Sequence, residues 1–376
     1  MERKNKKCRY RRRILYGEHL MKICFTVDSM TSGGAERVVS ILANNFSKRG
    51  HSVYILMVSS MEEKSFYDLV DVKLICLMKN YKKRLKFTKR IKLLKATLLN
   101  LMPDVVISFL PHVTIYSFFA LRHSKIKLIC SERNDPSKLS FKYRIFLKHV
   151  FKKASGNVFQ TDNARKWYKN YVSKNCIKIA NPINPAIEYH DIKARSNKIV
   201  AVGRLVPQKN FRLLIDSFSQ FYKLNAASNY ILKIYGDGPM LDELKRFALE
   251  KNVLTNVYFL GNSKTWFVDE CDAKMFILSS DFEGMPNSLI EALAIGIPCI
   301  STKCPVGGPE ELISNEQNGL LVPVNNAGDL LLAMEKIKDD NFAAKLSAAN
   351  KNIVLKYNEN KITNQWLSFI EQIIKG

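Results

Sequence analysis

From Lys22 onward the chain alternates short apolar runs with amphipathic segments, and it does so in two series. Lys22–Val27 reads as a strand, followed by Thr31-Ser32-Gly33-Gly34 and a helix to about Lys48. Strand patterns recur near 52–58, 72–77, 104–109, 126–130 and 156–159, with a basic helix expected over 82–101. Asn181-Pro182-Ile183-Asn184-Pro185 then interrupts the series, and two prolines in five residues read as a semi-rigid linker. The alternation restarts with strands expected at 198–203, 230–235, 256–260, 275–279, 297–301 and 319–322. Phe211, Leu214, Ile215, Phe218, Phe221 and Tyr222 follow helical spacing, and the chain from about Phe342 reads as helical throughout. Such alternation dictates parallel sheets, because parallel neighbours need a crossover helix between them. The expected fold is therefore α/β: two Rossmann-like, doubly wound domains facing across a cleft. Ligands of such sheets bind outside the carboxyl ends of the strands, so the strand-to-helix turns are where chemistry should be sought.

With 376 residues, each half is large enough to bury its own core. The expected divisions are a basic extension at 1–20, domains at 21–183 and 184–355, and a final helix at 356–376. Met21 reads as the natural start, or residues 1–20 as a flexible arm. The formal charge is +25, and it is not evenly spread. Residues 1–190 hold 38 basic and 13 acidic side chains, whereas residues 191–376 hold 21 of each. The first half thus carries the whole excess, which points to a polyanionic partner such as nucleic acid or an anionic membrane.

Eight scattered cysteines without a Cys-x-x-Cys pair read as reduced thiols of a cytosolic chain. Cys299 and Cys304 could form half of a metal site, but no His pair accompanies them. No apolar run reaches the ~18 residues of a membrane span, and no signal peptide pattern opens the chain. In the expected 82–101 helix, Phe87, Ile91, Leu94, Leu98 and Leu101 recur at a 3–4 spacing. Lys82, Lys83, Arg84, Lys86, Lys89 and Arg90 crowd the other faces. That profile fits a helix lying on anionic lipid, or an ordinary packed helix with a solvated basic face. Nucleic-acid binding is the weaker reading, because no stackable aromatics are interleaved on a recognised module.

Four motifs carry candidate chemistry. The first is Ser280-Asp281-Phe282-Glu283-Gly284-Met285-Pro286-Asn287-Ser288-Leu289-Ile290-Glu291-Ala292, between a strand and a helix ending at Gly296. Pro286 suits a first helical turn and Gly296 a C-terminal cap. The amides of Asn287, Ser288 and Leu289 should then face outward as an anion site. Glu283 and Glu291 flank it, about 12 Å apart if the segment is helical throughout. The second is Val202-Gly203-Arg204-Leu205-Val206-Pro207-Gln208-Lys209-Asn210, where Arg204 offers a planar fork and Lys209 a point charge for phosphate oxygens. The third is Gly33-Gly34-Ala35-Glu36, whose glycines let backbone approach a ligand. Gly236-Asp237-Gly238-Pro239 is a similar turn. The fourth is His112, past the 104–109 run, with Ser131-Glu132-Arg133-Asn134 past 126–130. His112 could equally be a satisfied loop histidine, and Glu132 and Arg133 could simply pair with each other.

These residues together resemble family 4 of the retaining glycosyltransferases, whose fold is GT-B, over roughly residues 21–376. Glu283 and Glu291 with Gly284, Pro286, Ala292, Gly296 and Pro298 carry the resemblance, supported by Gly203-Arg204…Lys209 and by Gly33-Gly34-Ala35-Glu36. Ser131-Glu132-Arg133-Asn134 is similar to the branch that builds capsule, exopolysaccharide and lipid-linked oligosaccharide. Asn210 departs from the glycine common at that position.

The resemblance implies transfer of a hexose or N-acetylhexosamine from a nucleotide sugar, a UDP-sugar above all, to a lipid-linked glycan, with retention and without a metal. It implies Glu283 on the donor sugar, Glu291 on the ribose, Arg204 and Lys209 on the departing diphosphate, and Gly33, Gly34, Gly236 and Gly284 at the donor. His112 would contact the donor sugar and acceptor, with Glu132, Arg133 and Asn134 as further cleft candidates. The first domain would face the acceptor and the inner membrane surface, and the second would hold the donor. The last helix would cross back to the first domain. A nucleotide-sugar epimerase or a sugar phosphorylase on the same fold is the alternative within the enzyme class.

Overall fold

The computed structural model describes residues 20–81, 83, 85–133, 135–192 and 194–376. Residues 1–19, Lys82, Arg84 and Asn134 lie outside the described residues, and the expectations placed on them go no further here. Two parallel sheets account for the alternation. The first contains β1 (Lys22–Val27), β2 (Ser52–Met57), β3 (Val72–Cys76), β4 (Val105–Phe109), β5 (Lys127–Ser131), β6 (Gly156–Phe159) and β7 (Cys176–Lys178) in the order 3-2-1-4-5-6-7. The second contains β8 (Ser196–Val202), β9 (Ile231–Tyr235), β10 (Val257–Phe259), β11 (Ala273–Leu278), β12 (Cys299–Thr302) and β13 (Leu320–Val322) in the order 10-9-8-11-12-13. Each of these strands pairs parallel to its neighbours. The central strands are buried on both faces, which is why they read as continuous apolar runs.

Each sheet reverses its winding once, between β1 and β4 and between β8 and β11. The turns after β1, β8 and β11 leave the carboxyl ends at those switch points, where a crevice forms. They carry Gly33-Gly34, Gly203–Lys209 and Ser279–Pro286 respectively.

Several sequence expectations need correction. β7 was not anticipated; it is a three-residue edge strand whose residues are only half-buried, so it lacks an apolar run. The Pro-rich segment is no solvated spacer at its start, since Asn181, Pro182 and Ile183 are buried. The tail is not one helix but three, Asp340–Ala348, Ile353–Lys356 and Glu359–Lys375, with turns between. The last of these places Ile362, Trp366, Phe369, Ile370 and Ile373 in the core of the first domain beside Phe25, Phe46 and Phe109.

The basic helix begins at Phe87, not at 82, so Lys83 and Lys86 precede it. Its apolar stripe is occupied: Leu94 and Leu98 are fully buried in the domain core, with Ile91 and Leu101 packed against it. A crossover helix must pack on its own domain, and this part of the stripe does so; Phe87, at the start of the helix, stays 46% exposed. Arg90 is also engaged, donating to the Leu85 carbonyl and to Ser59 and lying over the Tyr116 ring. Lys83, Lys86 and Lys89 remain exposed. No helix among the described residues is long and apolar enough to cross a membrane.

Candidate functional site

A cleft cavity of about 270 Å³ lies between the two sheets' carboxyl ends. Its first wall follows β1. Gly33 precedes the Gly34–Lys48 helix with extended backbone, and the Tyr67 hydroxyl donates to its carbonyl at 3.2 Å. Glu36 folds its carboxylate back over Gly33, so that any Cβ at Gly33 would run into it. Burial raises the Glu36 carboxyl, opposed by its own backbone N–H and by the charge of Arg204 on the facing wall. An acidic side chain thus sits beside a helix N-terminus, a position suited to an anion. Arg37, next in sequence, reaches across the cleft to an ion pair with Glu291, and burial lowers its guanidinium to about 10. Burial likewise pushes the Tyr67 phenol up to about 12.

The second wall is two loops stitched together. Glu283 accepts from Lys209 Nζ at 2.5 Å and from Ser280 Oγ at 2.7 Å. Gln208 donates to the Phe282 carbonyl, Asp281 N donates to the Gln208 carbonyl, and Ser279 Oγ donates to the Lys209 carbonyl. Asn210, where glycine was expected from the resemblance, has φ +45° and caps the Phe211–Leu224 helix through Leu213 N. Asparagine tolerates this left-handed conformation, and its amide donates to Asp281, which ties the loop down further. Gly236 has φ +135° and presses on the Gly203 backbone, so a side chain there would collide with it. Cys304 packs behind Glu283, and burial together with that carboxylate pushes its thiol up to about 12.

The helix Asn287–Ala294 opens at the cleft. Pro286 is its N-cap, one position earlier than expected, and Gly296 ends it with φ +85°. The first ladder bond runs from Ile290 N to the Pro286 carbonyl, so the amides of Asn287, Ser288 and Leu289 precede the ladder. Glu283 lies in the loop before it, so helical rise does not set its distance from Glu291. Each carboxylate has its own positioning partners instead. Glu291, 2% exposed, accepts from Trp266 Nε1 at 3.2 Å and pairs with Arg37.

A hydrogen-bonded relay closes the back of the cleft. Arg133 donates to Asn181 Oδ1 at 2.6 Å, Asn181 Nδ2 donates to Asn287 Oδ1 at 2.6 Å, and Asn287 Nδ2 donates to the Gly34 carbonyl at 2.9 Å. The Arg133 guanidinium is buried over the Phe109 ring, 4.3 Å from its centroid, and burial lowers it to about 9. Gly284 lies against the Arg133 backbone, leaving no room for a Cβ. The two domains therefore touch through backbone at this point.

The structure brings Gly33, Gly34, Arg133, Arg204, Lys209, Gly236, Glu283, Gly284, Asn287, Ser288 and Glu291 to one cleft. Leu289 has a fully buried side chain and offers only its amide. His112 is not in a loop; it is the second residue of the Pro111–Leu121 helix, and it lines a separate cavity. Its Nε2 lies 2.8 Å from Asp28 Oδ1. Glu132 is buried and accepts from the Arg133 amide, close to the local pairing weighed from sequence. Sequence reasoning missed Arg37, Tyr67, Trp266 and Asn181. Arg37 follows the glycine pair directly, and Asn181 opens the Pro-rich segment, so both had a positional signal. Trp266 had none.

The geometry matches what the comparisons find. The profile described as "Glycosyltransferase Family 4" matches residues 32–186, and that described as "Glycosyl transferases group 1" matches residues 184–353. The chain is 29% identical, over 94% of its length and 99% of the relative's, to a Campylobacter jejuni "GalNAc-alpha-(1->4)-GalNAc-alpha-(1->3)-diNAcBac-PP-undecaprenol alpha-1,4-N-acetyl-D-galactosaminyltransferase". It is 30% identical to an Escherichia coli "UDP-Gal:alpha-D-GlcNAc-diphosphoundecaprenol alpha-1,3-galactosyltransferase", over 48% of this chain and 46% of that one. Among solved structures, Anabaena Alr3699/HepE in complex with UDP superposes with a TM-score of 0.75 at 16% identity, over 94% of this chain and 100% of that one. At that identity the likeness speaks for the fold alone.

Proposed function

This chain belongs to glycosyltransferase family 4, with the two-domain GT-B fold, and from that premise we propose that its cleft moves a sugar with retention from a nucleotide donor to a lipid-linked glycan. The observation that carries the reading is the arrangement around the Asn287–Ala294 helix. Three outward amides lie between two carboxylates, Glu283 and Glu291, with Lys209 on one and Arg37 on the other. A nucleotide diphosphate sugar has the complementary layout: a diphosphate between two hydroxyl-rich rings. The amides and the helix dipole take the diphosphate. Glu291 accepts from the ribose hydroxyls, and Glu283 from the hydroxyls of the transferred sugar.

The reaction breaks the bond from the anomeric carbon to the diphosphate oxygen and forms a bond to an acceptor hydroxyl. Negative charge grows on the departing diphosphate, and Lys209 with Arg204 is placed to stabilise it. These two cations fill the role that a divalent ion has in other transferases. With attack from the face of departure, the leaving phosphate oxygen takes the acceptor's proton, and configuration is retained. The relatives' names, one with UDP-Gal and one an N-acetyl-D-galactosaminyltransferase, both on diphosphoundecaprenol-linked glycans, support a UDP-hexose or UDP-N-acetylhexosamine as donor and a diphospholipid-linked glycan as acceptor. Such an acceptor belongs to capsule, exopolysaccharide or O-antigen assembly at the inner membrane face, where the basic first domain would dock.

The test is a panel of UDP-sugars with membrane extract as acceptor, scored by UDP release and product anomer. Wild type should release UDP only with acceptor, should keep its rate in excess chelator, and should give an α-product from an α-donor. Altered donor formed without acceptor would show an epimerase instead.

A further inference from the structure

The first domain carries a second cavity, of about 280 Å³, that the transfer chemistry above does not use. Three helices build it: Phe87–Leu101, Pro111–Leu121 and Phe141–Lys153. Phe87 lies 4.9 Å from the Tyr116 ring and 6.2 Å from Phe119, and Phe119 lies 6.3 Å from Phe146. These rings form one continuous wall, with Tyr143 and Lys142 beside it.

The sequence of the Phe141–Lys153 helix is unusual for a crossover helix. Its inward face, Leu147, Val150 and Phe151, is buried in the domain core as the fold requires. Yet beside that face Tyr143 and Phe146 turn into the cavity, 44% and 49% exposed. One apolar face is enough to pack a helix, and exposed rings beside it need a partner. Lys142 lines the cavity beside Tyr143 and Phe146, and Lys83, Lys86 and Lys89 stand exposed before and within the first turn of the Phe87–Leu101 helix. Apolar and cationic groups therefore share one concave surface. The complement is an amphiphile with a single hydrocarbon chain and an anionic head.

The groove is a separate cavity, but the Pro111–Leu121 helix brings its lining close to the cleft along the chain. Leu110 lines the cleft and His112 lines the groove, two residues on. His112 bonds to Asp28, which directly follows β1, three residues before the first cleft-lining residue, Thr31.

We propose that this groove holds the isoprenoid units adjoining the diphosphate of the lipid-linked acceptor. Lys142 and the rim lysines meet the diphosphate, and the glycan passes His112 into the cleft. The proposal rests on the acceptor class inferred above, which the relatives' diphosphoundecaprenol acceptors supply.

The test measures binding of geranylgeranyl diphosphate, hexadecyl diphosphate and inorganic diphosphate to the full chain in detergent solution. UDP binding, measured in parallel, reports the donor cleft. Geranylgeranyl diphosphate should bind wild type at least about tenfold tighter than inorganic diphosphate, and more tightly than the straight-chain hexadecyl compound. Phe87→Ser and Phe146→Ser, both at exposed positions, should each weaken it about tenfold. Both should leave UDP affinity unchanged, which also shows that the variants are folded. Equal affinity for the hexadecyl compound would overturn the isoprenoid assignment. Unchanged affinity in both variants would overturn the groove. Groove-dependent geranylgeranyl binding in a protein that does not bind UDP would uphold the groove and count against the donor reading alone.

Discussion

The two halves share a topology but handle charge in opposite ways. In the second half, acids and bases balance, and many are locked together. Glu270, 1% exposed, takes Lys198 at 3.2 Å, Lys233 at 2.7 Å and the Tyr235 hydroxyl at 2.5 Å. Lys274 pairs with Asp340, and Lys209 with Glu283. In the first half, Lys83, Lys86, Lys89, Lys92 and Lys95 stand exposed along one helix and its approach. The difference is the one the proposed function calls for. A diphosphate carries a small, fixed charge, and a balanced wall with a few placed cations suits it. An anionic surface is extended, and only unbalanced charge attracts it over a distance of several ångströms.

If the second wall is built for one compact ligand, single changes there should be severe. Glu283→Gln should lower transfer about a thousandfold while leaving the melting temperature near wild type, because the amide can still accept from Ser280 and only the charge facing Lys209 is lost. Transfer within tenfold of wild type would remove Glu283 from the reaction. If the first wall works by summed charge, single changes should be mild and joint ones large. The triple change Lys83→Glu, Lys86→Glu, Lys89→Glu should weaken binding to phosphatidylglycerol vesicles about a hundredfold, at ~1 kcal/mol per lysine near the surface. Transfer to a free oligosaccharide acceptor, which has neither diphosphate nor lipid, should not change. Equal vesicle binding in 0.5 M salt would contradict the electrostatic docking from the other side.

The sequence displays the same asymmetry. Strand positions were readable because burial on both faces leaves an apolar run, as in Val105–Phe109 and Ala273–Leu278. β7 has no such run and was invisible. Glu283 and Glu291 were readable because both lie in one contiguous segment whose glycine, proline and helix boundaries are local facts. Their partners were not: Arg37 and Trp266 meet Glu291 from remote segments, one of them in the other domain. Spacing carries no information about contacts made across a cleft. The Phe87–Leu101 helix left two readings open for a related reason. An apolar stripe beside lysines reads alike whether it covers lipid or a sheet, and only the position of the Pro111–Leu121 helix decides between them.

The Arg37–Glu291 pair links the walls and offers a milder test. Arg37 pairs with the carboxylate that the proposed function assigns to the ribose hydroxyls. Arg37→Ala leaves Glu291 held by Trp266 alone, so donor no longer competes with a cation but meets a less ordered carboxylate. We expect the donor KM to change about tenfold, with kcat altered less, because the ribose is remote from the reacting carbon. A kcat loss equal to that of Glu283→Gln would place Arg37 in the chemistry itself.

The smallest expected effect lies where the halves meet away from the cleft. Lys178 bridges Asp162 of its own domain and Glu311 of the other, and Asp162 N donates to Glu311 Oε1 at 2.8 Å. The hydrogen bond from Lys178 holds the Asp162 carboxyl below its ordinary value. A depressed carboxyl contributes stability above its unfolded pKa of about 3.9, and that contribution is lost as pH falls through the lower folded value. Asp162 is 40% exposed, so solvent screens the pair and only a few tenths of a kcal/mol are expected. Asp162→Asn should therefore lower the melting temperature by about 1 °C at pH 7, and the gap should close below about pH 3. A gap that persists in acid would mean that the Asp162 side chain acts by packing and not through its charge.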